Sequence, residues 1–63
     1  MLELFEYLLS IGYKVSRLDN GRITISSITT NEVLSLVKGI NFNTQFSVEA
    51  VLVESLTYEL RKV

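Results

Sequence analysis

The stretch Phe46-Ser47-Val48-Glu49-Ala50-Val51-Leu52-Val53-Glu54-Ser55-Leu56-Thr57-Tyr58-Glu59-Leu60-Arg61-Lys62-Val63 decides the fold. It carries two periods at once. Seven of the nine even-numbered positions from Phe46 to Lys62 are apolar, the alternation of a half-buried strand. The same residues fit a helix, with Val48, Leu52, Leu56 and Leu60 as a stripe and Val53 and Val63 alongside. On that reading Ser47 is the N-cap, and Phe46 and Val51 take the hydrophobic-staple positions. Glu49 then begins the helix and Arg61-Lys62 end it, the order its dipole favours. No Gly, Pro, Asn or Asp splits the run, and its length far exceeds the ~5–6 residues of a usual strand. The expected element is a helix. The β-branched Val48, Val51, Val53 and Thr57 keep a strand open as the alternative.

Before this stretch, Ile28-Thr29-Thr30-Asn31-Glu32-Val33 gives the most specific local signal. Thr29 and Glu32 have the spacing of a capping box, and Ile28 and Val33 occupy the staple positions around it. The helix is expected from Thr30 to Lys38, with Val33, Leu34, Leu36 and Val37 on its buried side and Gly39 as its stop. Asn41 to Gln45 reads as a polar loop carrying Phe42.

Earlier still, Tyr13-Leu18 and Arg22-Ser26 flank Asp19-Asn20-Gly21, a hairpin signal. A two-residue turn at Asn20-Gly21 would place Ser16 opposite Ile25 and Val15 opposite Ser26. A three-residue loop with Gly21 in the left-handed position pairs Val15 with Ile25 and Arg17 with Ile23. The second register separates the residues better. It puts Tyr13, Val15, Ile23 and Ile25 on one face, with Arg17 at its edge. Lys14, Ser16, Arg22, Thr24 and Ser26 form the other, joined by Leu18. Leu2 to Ile11 reads as an amphipathic helix with Leu4, Leu8 and Ile11 central to its apolar face, Glu3 and Glu6 in its first turns and Gly12 as its stop. The expected order is helix, β-hairpin, helix, helix, an α+β fold in one domain spanning residues 1–63.

Composition narrows the function. With neither Cys nor His, disulfides, thiolate chemistry and the usual zinc ligand sets are absent. No Ser stands beside a base, and each carboxylate has a reading as cap, turn or wet helix face. The three Gly stand apart and cradle no phosphate. The chain is too short to wall off a catalytic pocket. No enzymatic activity, no cofactor and no metal are expected. No apolar run approaches the ~20 residues of a membrane span. The start, Met1-Leu2-Glu3, lacks the basic region of a signal peptide. The expectation is a cytoplasmic protein, in the host cytoplasm if viral. At 48% apolar residues, a chain this small is expected to bury some of them against a second copy or a partner.

Binding is what remains. Lys14, Arg17 and Arg22 put half of the six basic residues on the hairpin, although the net charge of −1 gives no global attraction to nucleic acid. Arg22, Thr24 and Ser26 alternate along one strand, as groove-reading residues of a β-ribbon do. Arg22-Ile23-Thr24-Ile25-Ser26, followed by a capped helix, a loop and a helix beginning Ser47-Val48-Glu49-Ala50 with Leu56 further on, resembles the ribbon-helix-helix repressors of plasmids and phages. The resemblance implies a dimer that pairs one strand from each subunit. Arg22, Thr24 and Ser26 would read double-stranded DNA, and the amides near Ser47 would hold phosphate. The helix ending at Ile11-Gly12-Tyr13 with the charged hairpin is also similar to the recognition helix and wing of winged-helix proteins. The helix–hairpin–helix order resembles small phage head-completion proteins, which bind protein. The leading expectation is a nucleic-acid-binding regulator of phage, virus or plasmid type, with Lys14, Arg17, Arg22, Thr24, Ser26 and Ser47 as contacts. The alternative is a protein-interaction module (inhibitor, adaptor or virion component) that uses its apolar surface.

Overall fold

The computed structural model describes residues 2–18 and 21–63. Its elements are α1 (Leu2–Ser10), β1 (Lys14–Arg17), β2 (Ile23–Ser26), α2 (Thr30–Asn43), β3 (Val48–Glu54) and β4 (Thr57–Lys62). The four strands form one antiparallel sheet in the order β1-β2-β4-β3. The fold is α+β, but its last third is not the expected helix. Phe46 to Val63 is a second hairpin.

Two features hid it. Residues four apart are also an even number apart, so the stripe Val48, Leu52, Leu56, Leu60 satisfies the strand period as well as the helix period. Burial separates the two readings: Val48 and Leu60 are in the core, whereas Leu52 and Leu56 are more than half exposed. Glu49 and Arg61, expected at opposite ends of a helix, are instead register partners across β3 and β4. The turn between them, Ser55-Leu56, contains no Gly or Asn, and Leu56 takes φ +58. A leucine seldom adopts the left-handed region, so no local preference marks a turn there.

The first hairpin has the three-residue register, with Val15 opposite Ile25 and Arg17 opposite Ile23. Gly21 is left-handed at φ +82, while Asp19 and Asn20, the rest of the expected turn, lie outside the described residues. α1 ends one residue early, at Ser10, and Gly12 turns the chain at φ +98. α2 carries the complete capping box: the Thr29 hydroxyl accepts from the Glu32 N–H, and the Glu32 carboxylate accepts from the Thr29 N–H at 3.1 Å. Ile28 and Val33, the staple pair, are both buried.

Gly39 does not stop α2. The helix continues through it to Asn43, so Asn41, Phe42 and Asn43 are helical rather than loop. Gly within a helix costs about 1 kcal/mol relative to Ala, and the extra turn offsets this by burying Ile40. Thr44 then closes the helix, its N–H and hydroxyl both donating to the Ile40 carbonyl.

Both helices lie on one face of the sheet. Leu4 and Leu8 from α1 and Val33 and Ile40 from α2 pack with Ile23, Ile25, Val48, Tyr58 and Leu60, all from the same side of the pleat. The hydroxyls of Thr30 and Tyr58 are hydrogen-bonded, joining the start of α2 to β4. Neither helix is long and apolar enough to cross a membrane.

Candidate functional site

With both helices on one side, the opposite sheet face is bare. Register places Lys14 beside Ser26 and Ser16 beside Thr24 on that face, and continues the row to Thr57, Glu59 and Arg61 of β4. The expected polar row of the hairpin is therefore real as a surface. Its charge is different from the expectation. Glu59 sits in its middle and is only 5% exposed, although no helix covers it. Arg22 reaches its carboxylate at 3.3 Å and Arg61 at 3.2 Å. Arg22 is thus engaged with an acid rather than displayed as a lone cation. The sequence concealed this, because Arg22 and Glu59 are far apart in the chain and meet only through the β2–β4 pairing.

Arg17 is opposite Ile23, so it belongs to the helix-covered side of the sheet, where it stands exposed at the rim. It does not share a face with Lys14. Ser47 requires a correction: it precedes a strand, and its carbonyl accepts from the Val63 N–H at 2.9 Å. No helix begins there to hold phosphate. β2, the strand of the ribbon-helix-helix resemblance, pairs with β1 on one side and β4 on the other. It has no edge for a twin.

The free edges belong to β1 and β3, and backbone alternation shows which groups each leaves open. The Val63–Ser47 bond fixes the phase of the second hairpin: Ser47, Glu49 and Val51 turn their backbone groups toward β4. Val48, Ala50 and Leu52 turn theirs outward. Val48 bears this out. The Asn41 side chain donates from Nδ2 to the Val48 carbonyl at 3.0 Å and accepts from the Val48 N–H at 2.8 Å. A helix side chain thus stands in for a neighbouring strand at one position. At the other end a bulge between Leu52 and Glu54 brings Glu54 opposite Thr57, turning its backbone groups inward. Ala50 and Leu52 are left between the clamp and the bulge.

Exposed apolar groups collect around that window. Leu52 is 62% exposed and Val53 56%. Leu34 is 57% exposed, on the same flank of α2 as Asn41, at i−7. α2 runs antiparallel to β3 from the Asn41–Val48 contact. Leu34 lies about 10 Å up the helix from Asn41, and Leu52 about 13 Å along the strand from Val48. Asn41, Leu34, Ala50 and Leu52 were not among the expected contacts. The signal that could have found them is Asn41 followed by a strand, legible only once α2 is continued past Gly39.

An open cleft of about 450 Å³ lies beside Gln45, Phe46, Ser47 and Val48, with Lys62 as its one charged lining residue. Among the described residues no group of three acidic side chains is arranged to hold a metal ion. Comparisons with protein-family models, with curated proteins and with solved structures find no match to this chain.

Proposed function

We propose that this chain is a non-catalytic protein-interaction module that accepts an extended strand along the β3 edge. The observation that carries the reading is the window at Ala50 and Leu52. Two residues have outward backbone groups, bounded by Asn41 on one side and a bulge on the other, with Leu52, Val53 and Leu34 exposed around them. Strand addition draws affinity from main-chain hydrogen bonds and specificity from alternating side chains, and this edge supplies both. Short extended peptides selected by display on the immobilised chain should shift the amide resonances of residues 49–54 and of Leu34. Selection that maps instead to Lys14 and Arg17 would sink the reading.

A second reading is nucleic-acid binding through the bare sheet face. The observation in its favour is the shared placement of Lys14, Thr24 and Ser26 there. It has less support: Arg22 and Arg61 both contact Glu59, and among the described residues that face carries no aromatic side chain on which a base could stack. A duplex-DNA titration at two salt concentrations separates the readings. Steep loss of affinity with salt, reduced further by Lys14→Ala, would favour nucleic acid; weak, salt-insensitive binding would favour the β3 edge.

A further inference from the structure

We infer that the strand accepted by β3 is β3 of a second copy, in a two-fold antiparallel junction centred on Val51. This rests on the reading of the β3 edge as an interaction site and names its occupant. The β3 edge is complementary to itself. In an antiparallel pair, residues that exchange backbone hydrogen bonds alternate with residues that do not. Placing the two-fold axis at Val51 sets Ala50 opposite Leu52 of the partner and Leu52 opposite the partner's Ala50. All outward groups of the window are then satisfied, four hydrogen bonds in all. A register one residue further, centred on Leu52, would pair Ala50 with Glu54 of the partner, whose backbone groups the bulge has turned to Thr57.

Side chains agree with the same axis. On the helix-covered side, each small Ala50 faces a large Leu52. On the bare side Val51 meets Val51 of the partner, and Glu49 meets the partner's Val53, so no two acids face each other. Asn41 keeps its hold on Val48, because the partner strand reaches that level at its own bulge, where the chain bends away. The junction is short, below the standard size of stable interfaces, so the association is weak and concentration-dependent.

The chain has no cysteine, so an introduced one reports the register directly. Val51→Cys sits at a position whose Cα lies about 4.5 Å from its partner's, within disulfide range; Glu49→Cys does not. The full chain should sediment as a concentration-dependent dimer, and Leu52→Lys should weaken association at least tenfold without changing the circular dichroism spectrum. Mild oxidation should cross-link Val51→Cys at least tenfold faster than Glu49→Cys. A strict monomer that still binds display-selected peptides at β3 would overturn the choice of occupant while leaving the interaction reading standing. Monomer and no peptide binding would overturn both. A dimer indifferent to Leu52→Lys, with equal cross-linking of the two cysteine variants, would move the interface elsewhere.

Discussion

The two edges of the sheet are treated differently by the same chain. β1 is four residues long, carries Lys14 and Arg17, and is followed by a tight hairpin. Short length and basic side chains are what discourage another strand from pairing. β3 is seven residues long, has no Lys, Arg or Pro, and exposes Leu52 and Val53. Among the described residues its protections are Asn41 at one end, the bulge at the other and the acids Glu49 and Glu54. The difference teaches where the apolar excess of the composition went. The core takes Leu4, Leu8, Ile23, Ile25 and their neighbours; of the exposed remainder Leu52 and Val53 lie on β3, while Leu2, Tyr7 and Leu9 lie on α1.

Proline substitutions break that comparison most sharply, because alternate β3 residues have opposite backbone duties. Val51→Pro removes an N–H directed at β4, a ladder bond inside the hairpin where proline is excluded. A core this small seldom supplies more than about 3–5 kcal/mol, so the variant should be largely unfolded by circular dichroism. Leu52→Pro removes an N–H that points outward, where proline is tolerated. It should retain a cooperative melt while losing strand addition. Equal destabilisation by both would mean that the alternation assigned to β3 is reversed.

Asn41→Ala tests the clamp. It leaves the N–H and carbonyl of Val48, a core residue, without their side-chain partner. Loss of such bonds costs about 1–2 kcal/mol, read as a shift of the denaturation midpoint. It also lengthens the open edge by one position. Amide exchange at Val48 should accelerate while that at Val51 changes only with global stability. Unchanged Val48 exchange would show that Asn41 does not guard the edge.

Much of the molecule was legible because its rules are local. The capping box needs only Thr29 and Glu32 at the right spacing, and the first hairpin's register follows from sorting polar from apolar residues around Gly21. The second hairpin depends on a leucine accepting left-handed backbone at Leu56, which no local preference announces. The candidate site was sought among Arg22, Thr24 and Ser26 because their side chains are distinctive. The groups that set the β3 edge apart are backbone groups of Ala50 and Leu52. They become visible only when strand order shows which edge is left without a neighbour. The ion pair of Arg22 was hidden for a related reason: its acid, Glu59, arrives through a pairing of strands that the helix reading of Phe46 to Val63 had excluded.

The far end of α2 offers the smallest and most pH-dependent test of how the edge is held. Asn41 can sit beside Val48 only if α2 keeps its position, and the capping box fixes where α2 begins. The Thr29 hydroxyl, and then its backbone N–H, hydrogen-bond the Glu32 carboxylate and hold its pKa below the usual glutamate value. A depressed folded-state pKa contributes stability that is fully present above the unfolded-state pKa, about 4.3, and lost as pH falls through the folded value. Stability should therefore be flat on this account near neutrality and decline in acid below about pH 4.3. Glu32→Gln keeps a capping acceptor without the charge, so it should flatten this part of the acid limb while changing neutral stability little. Because the carboxylate is solvent-exposed, the difference should be small and further reduced by salt. An acid limb identical in the two proteins would assign the loss to groups other than Glu32.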